Sequence, residues 1–353
     1  MKTHYLTALL FIFLISGIYS PLKADEDKPG GHGAKEFNAS EFILDHIADS
    51  HEWHILTTKE GKSIAIYLPV ILYSKEKGLS VFSSKKLSHG HVHNGYRLEE
   101  EGDLKGRIVN VDEAGNADEA NFPLDFSVTK AVAAMFFAAL IGLWLFLSLS
   151  SSYKKTGVSH PRGMQSFLEP VILFVRDEIA IPNIGHHKYE RFMPYLLSVF
   201  FFILINNIMG LIPFPPPFGA NVTGNIAVTM TLALFTFVII QFNGNRTYWR
   251  HIFATPGVPL WLLPIMIPVE IIGIIAKPFA LMVRLFANIT AGHIIVLSLV
   301  ALVFIFKSVA VSPVSILFVV FMNCLELLVA FLQAYVFTLL SALFISLAVQ
   351  EHH

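Results

Sequence analysis

Thiols are almost missing from this chain of 353 residues: Cys324 is the one cysteine, and it lies in an apolar run. That excludes an intramolecular disulfide and leaves no basis for a metal site built on thiolates. Charge is scarce as well. Only 14% of residues are charged, 54% are hydrophobic and the mean hydropathy is +0.60, outside the usual soluble range, so a soluble enzyme is excluded. The scarcity is local: no Asp, Glu, Lys or Arg occurs from 192 through 245, and only Glu270, Lys277, Arg284, Lys307 and Glu326 occur between 251 and 350. Basic tracts of the kind that follow phosphates are absent, which argues against nucleic acid as a partner, and there is no glycine-rich nucleotide loop. The net charge of -1 therefore averages a polar front third with an apolar remainder.

The front reads in two parts. Lys2, an apolar core at 6–18 and Leu22-Lys23-Ala24 make a signal peptide over 1–24, too short in its core to be a span. Residues 25–126 form a polar, exported (periplasmic) extension with strand-like patches at 63–74 and turn signals at Gly30-Gly31, Asn94-Gly95 and Gly115-Asn116. His89, His91 and His93 would share one face of a strand, a zinc pattern, but no cysteine or second ligand cluster is near and solvated loop histidines are commoner. The expected metal and cofactor content is none.

From 127 to 353 the sequence predicts an all-α membrane domain of five transmembrane helices, over about 131–153, 192–212, 226–242, 259–306 and 313–349. Lys154, Lys155 and Arg162 place the end of the first span in the cytoplasm, and Arg246 and Arg250 do the same after the third. Met164, Phe167, Leu168, Val171, Ile172, Val175 and Ile179 recur at spacings of three and four, which predicts an amphipathic helix over about 163–181 lying on the cytoplasmic surface. The fourth run is too long for one upright crossing: either it breaks near Lys277-Pro278 or it is a long, strongly tilted helix.

Arg284 is the most telling residue of that run. A guanidinium stays charged wherever the helix carries it, and near a bilayer centre that costs roughly 2.5 to 3.5 kcal/mol unless a partner, a cavity or a task offsets it. If the last two helices form an antiparallel hairpin, residues at equal depth have numbers with a constant sum. Arg284 with Gln333 and His293 with Glu326 meet that condition to within two, and the hairpin point falls in 307–313, where turn chemistry also puts the loop. Glu270, Lys277 and Arg284 are spaced by seven, as are Glu326 and Gln333, and Asn288 follows Arg284 by four, so each set shares a face; His293 is about half a turn off. Two facing polar layers suit an ion path better than a set of helix-locking hydrogen bonds.

Lys277-Pro278, Arg284-Leu285-Phe286-Ala287-Asn288, Ala291-Gly292-His293, and Glu326 with Gln333 resemble subunit a of the F-type ATP synthase, over about 126–350. The segments 207–213 and 221–229 resemble its third- and fourth-helix signatures. The resemblance implies two long tilted helices curving along a rotating ring of c subunits, an exported N-terminus, a cytoplasmic C-terminus and a bacterial inner-membrane setting. It implies that Arg284 is the essential cation facing the ring carboxylates, with Gln333 and Asn288 supporting it. His293 and Glu326 would line the half-channel from the exported side, and Glu270 would sit near the cytoplasmic exit. The implied partners are the c-subunit ring, the b-subunit peripheral stalk, the other ATP synthase subunits and the lipid bilayer. The chain would be a non-catalytic proton-channel subunit, with the choice of proton or sodium resting largely on the ring. Many bacterial members have the histidine and glutamate of the outer layer exchanged relative to His293 and Glu326, and common members lack the extension.

Two other classes are weighed. A secondary transporter would bind an anion and a coupling ion at Arg284 and Glu326, but such folds show related halves and no internal repeat is found. A membrane metalloprotein would need ligand spacing that the 15 scattered histidines lack.

Overall fold

The computed structural model describes residues 38–57, 63–75, 77–100, 102, 104–112, 116–118, 121–156, 163–212, 216–253, 259–306 and 312–349. The expected signal at 1–24, Arg162, most of the expected 307–313 turn and residues 350–353 lie outside them. Two compact units divide the chain, one of 48–137 with 214–220, the other holding most of the apolar helices.

The first described helix, α1 (Ala39–Ile47), belongs to the second unit. Strands then follow: β1 (Glu52–Thr57), β2 (Ser63–Tyr67), β3 (Pro69–Ser74), β4 (Gly78–Ser83), β5 (Tyr96–Leu98), β6 (Ile108–Asn110) and β7 (Leu124–Asp125). They pair antiparallel as β1 with β2, β5 with β6, and a three-stranded sheet in the order β4, β3, β7. Alternation explains β3: Val70, Leu72 and Ser74 point into a core completed by Phe82, Leu87, Tyr96 and Ile108. Asn94-Gly95 forms the expected turn, with φ of 55° and 71°, while His93 and Tyr96 exchange backbone hydrogen bonds at 2.9 and 3.0 Å, the geometry of a two-residue hairpin loop. The extension is thus a small folded β structure. His89 belongs to a 3-10 helix (Ser84–Gly90) that also ends the strand expected around the histidines; His91 is exposed and His93 packs edge-on against Phe82, 5.0 Å between ring centres. The shared strand face on which the zinc pattern depended does not form.

The helices continue with α2 (Lys130–Thr156), α3 (Met164–Phe174), α4 (Ile181–Ile184), α5 (Tyr189–Leu211), α6 (Ile226–Asn243), α7 (Arg246–Phe253), α8 (Leu263–Phe306) and α9 (Ser312–Val349). Five of them, α2, α5, α6, α8 and α9, are long and apolar enough to cross a membrane. The protein is an all-α membrane protein carrying a small β-rich extension.

The amphipathic segment is α3, a π-helical turn at Val175–Ala180 and α4. The C-terminal part of its apolar stripe packs on protein, with Val175 and Ile179 fully buried and the π turn in contact with α5 and α9, while Met164 and Phe167 at its start stay exposed. Arg176 and Asp177 stay outside and bond each other at 2.7 Å.

α8 runs unbroken for 44 residues through Pro268 and Pro278. At 1.5 Å per residue that is about 66 Å, more than twice a hydrocarbon core, so the helix must lie oblique to cross once. α1 lies along it. α9 buries Ala330, Ala334, Thr338, Ala342 and Ser346, a row of small side chains four apart, which lets α5 approach closely where lipid supplies no hydrophobic drive. Its last carbonyls are capped: Asn245 donates to Ala348 O at 2.9 Å and to Val349 O at 3.1 Å, and Lys188 Nζ to Val349 O at 2.8 Å.

Candidate functional site

α8 and α9 run antiparallel side by side, and their polar residues meet in layers. In the layer nearest the expected hairpin, His293 Nδ1 stands 3.7 Å from Glu326 Oε1, both side chains mostly buried. That distance is an ion-pair contact rather than a hydrogen bond, and a water could bridge it. Gly292 makes room for the carboxylate: a Cβ on it would lie 2.5 Å from Glu326 Oε1. The half-turn offset of His293 is therefore tolerated because Glu326 passes over a glycine to reach it.

One layer along, Asn288 Nδ2 donates to Gln333 Oε1 at 2.9 Å. The expected facing of Gln333 with Arg284 is shifted by one turn. Helical side chains lean toward their own N-terminus, so on an antiparallel partner Gln333 reaches past Arg284 to Asn288. Arg284 itself is exposed and has no hydrogen bond or ion pair with any described residue. One and two turns away along its face, Ala276, Ala280, Ala287 and Ala291 are all exposed, beside Lys277 and Asn288.

Polar atoms remain unsatisfied within these layers. Thr290 Oγ1, Glu326 Oε1 and Gln333 Nε2 are buried without a hydrogen-bond partner among the described residues, an arrangement that a packed, inert interface avoids. Asn207 of α5 donates to Ala330 O at 3.2 Å and accepts from Thr223 Oγ1 at 2.6 Å, which brings the third-helix signature against α9 one turn from Glu326.

Toward the other end of α8, Glu270 meets His251 of α7, Nδ1 to Oε1 3.9 Å. Between this pair and Arg284 lies a cavity of about 10 Å³, lined by Gln241, Tyr248, Lys277 and Phe344 among others, space for one water. Gln241 Nε2 donates to the Tyr248 hydroxyl at 3.3 Å. Burial first, and the nearby charge of Glu270, push the Tyr248 phenol above its ordinary value against that hydrogen bond. Lys277 Nζ is 5.7 Å from the Phe344 ring centre and does not pair with Glu270.

The structure thus brings together His293 with Glu326 and Asn288 with Gln333, leaves Arg284 alone on the surface, and sets Glu270 apart beside His251. Sequence reasoning missed Gly292, Thr290, Tyr248 and His251. The motif Ala291-Gly292-His293 held a signal for Gly292, but nothing in the spacing links α7 to Glu270. Among the described residues no three His, Cys, Asp or Glu side chains converge to hold a metal.

Residues 132–346 match the profile of the family described as ATP synthase A chain, and residues 42–126 that of a domain of unknown function (DUF8433). Curated relatives carry related names. ATP synthase subunit a of Chloroherpeton thalassium is 49% identical over 236 residues, 65% of this chain and 69% of the relative. ATP synthase subunit a 2 of Chlorobaculum tepidum is 51% identical over 231 residues, 64% of each chain, and ATP synthase subunit a of Myxococcus xanthus 49% over 238, 65% of this chain and 76% of the relative. The matched region thus spans about two thirds of these relatives' length.

Proposed function

This chain belongs to the ATP synthase A chain family, and from that premise and the layered polar contacts we propose that it is the proton-translocating stator subunit of the Fo sector. It offers one half-channel from each side of the membrane to a rotating c-subunit ring, and Arg284 separates the two. The single observation that carries the reading is the surface-facing guanidinium: a permanent cation on an apolar helix, without an internal counter-charge among the described residues and bordered by four exposed alanines. Such a residue needs a negative partner outside its own subunit, and small flanking side chains let a partner helix come close.

In this reading His293 and Glu326, an imidazole and a carboxylate, receive protons from the exported side and pass them on. The proton neutralises a ring carboxylate, which then turns into lipid. When that site returns to Arg284, the cation lowers its pKa and favours release. Asn288 and Gln333 hold the layer beside the arginine. The released proton leaves past Lys277, the small cavity and Tyr248 to Glu270 and His251 at the cytoplasmic mouth. Each charge crossing 100 mV supplies about 2.3 kcal/mol, so several combine per ATP. The exported N-terminus, the bacterial inner membrane, the signal at 1–24 and the b-subunit stalk belong to the same proposal.

Arg284→Lys tests it. An ammonium can lose its proton when desolvated, whereas a guanidinium does not. Proton-driven ATP synthesis in sealed vesicles is expected to be abolished while the complex still copurifies with its ring. Near-normal synthesis would remove Arg284 from the mechanism.

A further inference from the structure

The extension carries an outer sheet face that the described residues of its unit leave largely exposed. In the register of β4, β3 and β7, Ile71 lies opposite Val81, and Tyr73 lies opposite both Leu79 and Leu124. Phe126, bonded through its N–H to Ile71 O at 2.9 Å, continues the same face two residues beyond Leu124. Tyr73 is 46% exposed, Leu79 67%, Val81 63%, Leu124 58% and Phe126 64%, whereas the opposite face buries Val70, Leu72 and Phe82. Five exposed apolar side chains with half-buried Ile71 among them, contiguous on one face of the sheet, exceed the scatter normal for a soluble surface.

The position of this face in the chain says what covers it. Four residues separate β7 from Lys130, the first residue of the span α2. Val128 N–H donates to Pro69 O at 3.0 Å, Lys130 N–H to Ser50 O at 2.8 Å and Ala131 N–H to Asp49 Oδ1 at 3.0 Å, so the sheet is fastened to the start of the span rather than tethered by a loose linker. Four extended residues reach at most about 14 Å, so β7 stays close to the headgroup zone that flanks a hydrocarbon core about 30 Å thick. Charge agrees: the turn before β4 carries exposed Lys75 and Lys77 and the helix after it exposed Lys85 and Lys86, against one acidic residue, Glu76, between 69 and 86. Aliphatic and aromatic side chains bordered by lysine are the composition that lies in an anionic bilayer interface.

We propose that the outer face of the β4–β3–β7 sheet is a membrane-interface docking surface. It rests on the lipid leaflet where α2 enters and fixes the extension against the bilayer. The test uses the full chain in nanodiscs of phosphatidylcholine and phosphatidylglycerol, with Cys324→Ser removing the native thiol. An environment-sensitive fluorophore on Leu79→Cys is compared with one on Asn94→Cys, in an exposed turn outside this face. Quenching of position 79 by spin-labelled lipid several-fold stronger than at position 94, with weak quenching by aqueous iodide, is the expected result. Equal iodide quenching at both positions would overturn the proposal by showing the face bare. Shielding of position 79 from both quenchers would overturn it too, because protein, either a second copy or another subunit, would then be the cover.

Discussion

At Arg284 the decisive property is what the side chain does not touch. Two turns further along α8, His293 is held against Glu326, and Gly292 leaves the space that the Glu326 carboxylate occupies there. Replacing Gly292 by alanine puts a methyl group where the Glu326 oxygen lies, yet a carboxylate at the end of a flexible side chain can swing away. The helix meanwhile gains roughly 0.5 to 1 kcal/mol from losing a glycine. Gly292→Ala is therefore expected to leave thermal stability within about 1 kcal/mol of the parent while lowering proton flux in reconstituted vesicles several-fold; unchanged flux would mean that the His293–Glu326 approach is not on the path. The residue types of the site were legible because charge in an apolar run is conspicuous. The role of Gly292 was not, since a missing side chain announces itself only when its neighbour is in place.

At the scale of elements, α8 and α9 behave as one antiparallel hairpin whose register could be read from the numbering. Its polar pairs follow the constant-sum rule closely, apart from the one-turn slip of Gln333 to Asn288, which comes from the lean of helical side chains. On the proposed reading the outer layer needs one imidazole and one carboxylate at that depth, in either order, so exchange should be tolerated where loss is not. His293→Glu combined with Glu326→His is expected to keep most of the proton flux, and each single replacement to lose about a hundredfold or more, the lower end of the range for removing a positioned proton-transfer group. If the double variant is as poor as the singles, the layer needs more than its composition. The fate of the long apolar run, break or single helix, was open in the sequence: Pro278 argued for a break. The helix continues through it, and its length then demands an oblique path.

Over the whole molecule, two units with separate hydrophobic cores share one chain. In the extension, His51 Nε2 contacts Asp125 Oδ2 at 3.3 Å, and Ser127 N–H donates to Asp125 Oδ1 at 2.8 Å. Burial alone would raise the Asp125 carboxyl, but the hydrogen bonds from His51 and Ser127 outweigh it and hold the group below its ordinary value. A carboxyl depressed in the folded state adds stability above its unfolded pKa of about 3.9, and that contribution fades as pH falls through the lower folded value. Asp125→Asn should thus reduce hydrogen-exchange protection of β3 and β7 near pH 7, with the deficit shrinking below about pH 4 and protection in α5 and α9 unchanged. A deficit that is constant with pH would assign the effect to packing. The sequence by itself determined the membrane class, the five apolar helices and the charged residues placed among them, because a bilayer filters composition over twenty residues at a time. Only the tertiary structure decided that the extension folds into small sheets, that Gly292 admits Glu326, that α7 brings His251 to Glu270 and that Arg284 is left facing outward. Those outcomes depend on contacts between segments far apart in the chain, and no local periodicity encodes them.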